Sequence, residues 1–329
     1  MKEDISKSLK SSETDDWLDC HLVRPAGFRW ALFFNRLGFS PNTVTIISMV
    51  VGAASAVFFA HGCYHYDGWR GVAFNLIGFF LLAWAEVLDC ADGQLARLSG
   101  KHTRSGRILD GIAGYAWYAP VYAALIYRFY RHHDIEFGWL GITDSPSATW
   151  IATAVVIFVT AMSGACLAAQ QRLADYYLQA HLYFLKGEDG SELDNSAKQR
   201  EIYKSMTRDT PLWERLFQFS YIGYTRRQER ITPQFQRLLK ALNERYSSVS
   251  DFPSEIREDF HKSSLKMIGY NDMLTFNFRT SYLILFCLLD VPVLAFLFEI
   301  VVMSLLMWYV NHRHESFCKR IADMVEKDW

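Results

Sequence analysis

Residues 72–97 read VAFNLIGFFLLAWAEVLDCADGQLAR. From Val72 to Leu88 the only ionisable side chain is Glu86, and the run has the length of a helix that crosses a bilayer. No proline interrupts its passage into Asp89, Asp92 and Arg97. On a helix, Asp89, Asp92, Gly93, Ala96 and Arg97 recur at three- and four-residue intervals and line one face. That face offers two carboxylates, two positions almost without side chains and a guanidinium. Carboxylates at the end of a membrane helix are costly unless paired, hydrated or bound to a cation. The segment therefore points to a membrane-embedded, all-α fold with a site at one helix end.

Upstream, Ser40, Pro41 and Asn42 supply a turn and a cap before a first apolar run, Thr43–Ala60. Downstream, helices are expected from near Ile108 to about Tyr127, and from Trp150 through Gln170, Arg172 and Tyr177. The last apolar stretch, Ser281–Val310, is longer than one helix needs and holds Asp290 and Pro292 near its middle. With Phe276, Phe278 and Tyr282 included, it reads as two helices joined by a tight turn at Asp290, Val291 and Pro292. The expected architecture is a polytopic membrane protein of about six transmembrane helices. It divides into an N-terminal segment 1–40, membrane helices one to four over 41–175, a helical insert 176–271, helices five and six over 272–312, and a tail 313–329.

Between Asp15 and Phe39, aromatic residues such as Trp17, Phe28, Trp30 and Phe33 alternate with Arg24, Arg29 and Arg36. The pattern suits one or two short interfacial helices broken near Pro25 and Gly27, or an ordinary amphipathic packing helix. The insert opens with a loop-like Lys186–Asn195 and then shows helical periodicity, as in Phe235, Leu238, Leu239 and Leu242.

Over 329 residues, half of them hydrophobic, the formal net charge is only -1, which excludes a strongly basic nucleic-acid binder and a highly charged disordered chain. The cysteines are scattered without a Cys-x2-Cys pair, so neither a zinc site nor a disulfide framework is expected. Met1–Asp19 is too polar to be a cleaved signal peptide, and neither a Walker loop nor a dinucleotide fingerprint occurs. Basic residues favour one side of the membrane. Arg97, Lys101, Arg104, Arg107, the insert, Arg313, Lys319, Arg320 and Lys327 stand against Arg70, Arg128 and Arg131 on the other. Both termini and the segment Asp89–Asp110 are accordingly expected in the cytoplasm.

Two readings explain the carboxylates: a solvated helix end with ordinary ion pairs, or a pyrophosphate held through divalent ions, because hard cations such as Mg²⁺ or Mn²⁺ take oxygen ligands and bridge phosphates to them. Gly93 and Ala96 would let a nucleotide approach the backbone, Arg97 would pair with a phosphate, and Gly106 and Asp110 would close the site from the next helix. The whole spacing resembles the signature of the CDP-alcohol phosphotransferase (CDP-alcohol phosphatidyltransferase) family, Asp-x2-Asp-Gly-x2-Ala-Arg-x8-Gly-x3-Asp-x3-Asp. Asp89, Asp92, Gly93, Ala96, Arg97, Gly106 and Asp110 match it, and Pro41-Asn42-Thr43-Val44-Thr45 is similar to the family's entry into its first spanning helix. The resemblance implies that Asp89, Asp92 and Asp110 hold the metal ions while Asp89, Gly93, Ala96, Arg97 and Gly106 receive the cytidine diphosphate. An acceptor hydroxyl then attacks the donor's phosphorus in line with leaving CMP. It also implies a homodimer formed through the membrane helices.

One position departs from the signature: its final aspartate, taken in the family to be the general base, falls on Gly114, and glycine removes no proton. Three readings follow: a base from elsewhere, an acceptor already ionised or deprotonated by metal-bound water, or weakened catalysis. Glu86, one turn before Asp89 on the same face, is the candidate substitute base or a carboxylate hydrogen-bonded within the bundle, with His102 and Tyr115 behind it. Arg172, Asn271, Asn277 and Arg279 are read as interface anchors rather than headgroup contacts, and Glu299 as part of a helix–helix contact. Three functions fit: transfer from CDP-diacylglycerol to a small polar alcohol or its phosphate; transfer from CDP-ethanolamine or CDP-choline to diacylglycerol or a ceramide; and a nucleotide-binding scaffold that has lost turnover.

Overall fold

The computed structural model describes residues 17–100, 104–137, 145–207 and 210–328, and among them there are helices and no strand. A π-helical turn, Asp19–Val23, runs into α1 (Arg24–Arg36). Then follow α2 (Pro41–Ala60), α3 (Trp69–Ser99), α4 (Arg104–Arg131), α5 (Pro146–Lys186), α6 (Ser196–Ser205), α7 (Leu212–Ile231), α8 (Pro233–Asn243), α9 (Ser254–Asp272), α10 (Phe276–Leu288), α11 (Pro292–Phe298) and α12 (Ser304–Asp328). Among the described residues, four helices are long and apolar enough to cross a membrane: α2, α3, α5 and the continuous run Pro292–Lys327. The expected count of six is larger because it also takes in α4, which carries Asp110 and several arginines, and the short α10.

The chain forms two compact units. In the first, Met1–Cys166 with Phe276–Val301, α2 packs along both α3 and α4, while α1 lies on α3. Ser40 caps α2 by accepting from Thr43 N, as its position before Pro41 predicts. Ala31, Phe34, Val44, Leu88, Ala91 and Leu95 form the core where α1, α2 and α3 meet. The expected break at Pro25 and Gly27 does not occur. Pro25 sits in the first turn of α1, directly after the π turn, which continues into α1 without a break. Gly27 instead admits α3, since a Cβ there would meet Cys90 Sγ at 3.1 Å.

The turn after α10 falls where Asp290, Val291 and Pro292 place it, with Asp290 left-handed at φ 58°. Its carboxylate accepts from Tyr64 N at 2.9 Å, His65 N at 2.7 Å and Arg128 Nη2 at 2.7 Å. Arg128 also reaches Asn75 and the Cys287 carbonyl. Arg128 is thus no loop residue but one half of a buried ion pair that ties α3, α4 and the α10 turn together. Close by, Glu136 accepts from Val293 N at 2.8 Å, and burial pushes its carboxyl from 4.5 up to about 7.

The second unit is Leu167–Thr275 with Val302–Trp329, in which α8 and α9 pack on α12. Phe235, Leu238 and Leu242 form the buried stripe of α8, as their spacing predicts, and Glu315 caps the start of α8 by accepting from Gln234 N and Phe235 N.

Asp290→Ala leaves Arg128 buried without its counter-ion, and a loss of about 3–5 kcal/mol is expected in denaturant titration of the detergent-solubilised protein. Glu136 keeps in the folded state a proton that the unfolded chain loses, so stability should fall as pH rises from 4.5 to about 7. Glu136→Gln should flatten that slope in thermal midpoints measured across a buffer series.

Candidate active site

α3 carries Asp89 and Asp92 one turn apart near its C-terminal end, and the second turn of α4 carries Asp110. One carboxylate oxygen from each of the three lies within 4.8 Å of the other two. Asp92 is buried, Asp89 half-buried and Asp110 exposed, so the cluster opens on the α4 side. Asp89 Oδ1 and Asp92 Oδ2 are buried and have no hydrogen-bond partner. A buried acceptor left without a donor costs about 1–3 kcal/mol, and more when charged. An all-oxygen donor set with orphaned buried oxygens suits a hard divalent cation such as Mg²⁺ or Mn²⁺.

The neighbouring residues shape the approach to this cluster. Arg97 folds back along α3, its guanidinium nitrogens 3.8 Å from where a Cβ on Gly93 would stand. Ala96 is half-buried on the same face, and Gly106 is half-buried in the first turn of α4. Buried Thr45 on α2 stands beside Asp92. Gln94 is buried on the opposite face of α3 and donates to the Arg24 carbonyl at 3.2 Å, holding α1 in place. Neither Thr45 nor Gln94 was legible as a site residue; a buried glutamine inside a functional segment is the signal that would have found the second.

Between α2 and α4 the packing is close. A Cβ on Gly52 would run into the indole of Trp117, so the glycine lets the α4 ring lie against the α2 backbone. At Gly114, one turn earlier on α4, a Cβ would meet nothing within 4 Å. Glu86 is half-buried on α3 and lies within electrostatic range of Asp89, Cys90 and Tyr118, the last being one turn beyond Gly114. Tyr115 is exposed, and His102 lies outside the described residues.

Residues 39–183 match the CDP-alcohol phosphatidyltransferase family model. The match agrees with the family that the motif resembles; it spans α2, α3, α4 and most of α5 and includes every matched motif residue. No curated protein matches the chain in a sequence search. No solved structure matches it either.

The polar residues read as interface anchors are placed differently. Arg279 is fully buried and pairs with Glu299, its Nε donating at 3.0 Å, while Tyr282 donates to the same carboxylate. Glu299 is therefore the helix–helix contact that its position suggests. Asn277 donates to Asp19 at 3.0 Å, and Asn271 is buried and donates to the Ala174 carbonyl at 2.9 Å. The Arg172 guanidinium lies 5.4 Å from the Tyr224 ring centroid. These four side chains are engaged in packing, and the sequence could not show it because each partner lies far along the chain.

Gly52→Ala should lower the thermal midpoint of the detergent-purified protein, with a cost of about 1–3 kcal/mol for forcing Trp117 aside. Gly114→Ala should be neutral or stabilising by up to about 1 kcal/mol, because the new methyl enters open space and alanine favours the helix.

Proposed function

We propose that this chain transfers a phosphatidyl group from CDP-diacylglycerol to the hydroxyl of a small polar alcohol or its phosphate and releases CMP. The family match supports phosphatidyl transfer from a CDP-alcohol. The observation that carries the reading is the three-carboxylate cluster with two orphaned buried oxygens, set inside the matched motif. Asp89, Asp92 and Asp110 would hold Mg²⁺ or Mn²⁺, which neutralises the diphosphate when bound.

Gly93 and Ala96 leave room for the nucleotide against the α3 backbone, and Arg97 gives its guanidinium to a phosphate. The acceptor oxygen bonds to the phosphorus of the phosphatidyl group as the bond to the CMP oxygen breaks in line. Glu86 takes the acceptor's proton across the space that Gly114 leaves open, and Gly106 admits the substrate from the α4 side. Positioning and charge neutralisation supply most of the rate. In this reading both termini and the site face the cytoplasm and the chain works as a homodimer.

Gly114 favours a second reading, a scaffold that binds the nucleotide without turnover, since the signature's last carboxylate is missing.

CMP release from protein reconstituted in detergent, with Mg²⁺ or Mn²⁺, separates the two. CDP-diacylglycerol with mixed small alcohols should give release, whereas CDP-ethanolamine or CDP-choline with diacylglycerol should not. Asp92→Asn should abolish release. Glu86→Gln should cut it roughly 10²–10⁴-fold, the usual contribution of a general base, with donor binding unchanged. Gly114→Asp should restore release in the Glu86→Gln background. Metal-dependent CDP binding without release from any donor would establish the scaffold instead.

A further inference from the structure

α7 is built inside out. Its buried residues are Gln218, Thr225 and Gln228, whereas Leu212 is 70% exposed and Phe219 66%, with Trp213 and Leu216 exposed beside them. The buried side is satisfied by specific partners: Gln218 donates to the Gln199 carbonyl at 3.1 Å and side chain at 2.7 Å, and Gln228 donates to the Arg172 carbonyl at 3.0 Å. Tyr221 donates to Asp194 at 2.9 Å. The helix thus keeps its polar residues for the interior and turns its apolar ones outward, the reverse of a helix that faces water.

The outward stripe has a direction. Leu212, Leu216, Phe219, Gly223, Arg226 and Arg230 follow one another at three- and four-residue intervals, with Arg227 next to Arg226, so one face is apolar in its first half and basic in its second. The three arginines are exposed. No acid lies on the stripe: Glu214 and Glu229 fall on the other side, where Glu229 accepts from Ser196 N at 2.6 Å. Contiguous exposed apolar side chains of this size mark an interaction surface.

We propose that α7 lies in the surface of an anionic bilayer, with Leu212, Trp213, Leu216 and Phe219 among the acyl chains and Arg226, Arg227 and Arg230 on lipid phosphates. The unit that carries α7 is joined in sequence to α5 and to Pro292–Lys327, both long and apolar enough to cross a membrane, so it is tethered to a bilayer. An interfacial helix needs this pairing of aromatic and aliphatic residues with arginines, and guanidinium groups bind phosphate by paired hydrogen bonds. A second copy of the chain fits less well, because self-pairing sets arginines against arginines or against leucines, with no carboxylate to meet them. The inference does not depend on the reaction proposed above.

The test places a photo-crosslinking p-benzoylphenylalanine at Phe219 of the full chain, in liposomes of phosphatidylcholine with or without phosphatidylglycerol. Exposed Val57 on α2 serves as the lipid-facing comparator and exposed Lys198 on α6 as the water-facing one. Phe219 should give a lipid adduct as Val57 does, and Lys198 should not. Replacing Arg226, Arg227 and Arg230 by glutamate should lower the yield of phosphatidylglycerol adduct roughly tenfold or more, as loss of several surface arginines does. A cross-linked dimer at Phe219, absence of a lipid adduct there while Val57 labels, or an unchanged phosphatidylglycerol yield in the arginine variant would overturn the proposal.

Discussion

The structure of the first unit depends on the fit of α2 between α3 and α4. α3 and α4 contribute the acidic residues, yet they touch each other little, and each is aligned through its contact with α2. Gly52 allows the Trp117 ring to press on the α2 backbone, Val44 joins the core with Leu88 and Leu95, and Thr45 stands beside Asp92. A shift of α4 along α2 by one residue would move Asp110 by about 1.5 Å and turn it through about 100° away from Asp89 and Asp92. Close packing at Gly52 and Trp117 forbids that shift, because an interior at crystal-like density has no slack to absorb it.

Among the described residues of this unit, two groups of buried charges stand in contrast. Arg128 with Asp290 and Arg279 with Glu299 are matched charges with further hydrogen bonds around them. Such pairs do little for net stability, but removing one partner is expensive, and they fix which helices meet. Asp89 and Asp92 are of the other kind: each keeps a buried oxygen that no donor reaches. The contrast, more than the presence of acids, marks the candidate site: Arg97 and Thr45 stand near Asp92, yet an oxygen of each aspartate is left without a donor.

What the sequence reveals follows from how far apart the cooperating residues lie. The meeting of the three aspartates was legible because Asp89 and Asp92 share one helix face with Gly93, Ala96 and Arg97, and Asp110 follows at a fixed distance on the next helix. The turn at Asp290 was legible because proline and a polar residue interrupt a long apolar run. The partner of Arg279 was not, because Glu299 sits beyond that turn, and a single arginine at a helix end looks the same whether it faces headgroups or a carboxylate. The π turn at Asp19–Val23 has no distinctive composition. The inverted face of α7 was hidden for a similar reason: glutamine goes inside only where another segment offers carbonyls, and periodicity does not report that offer.

The interlock of Gly52 with Trp117 also bears on how the protein meets membranes of different thickness. A bilayer thinner or thicker than the apolar length of a helix is accommodated by tilting, kinking or local deformation of the lipid. With α2 and α4 meshed at a glycine, and α3 bound to both α2 and α1, these helices tilt together as one body. Changes in acyl-chain length would therefore be taken up by rotation of the helical body and adjustment of the surrounding lipid, leaving the spacing of the carboxylates constant from one membrane composition to another.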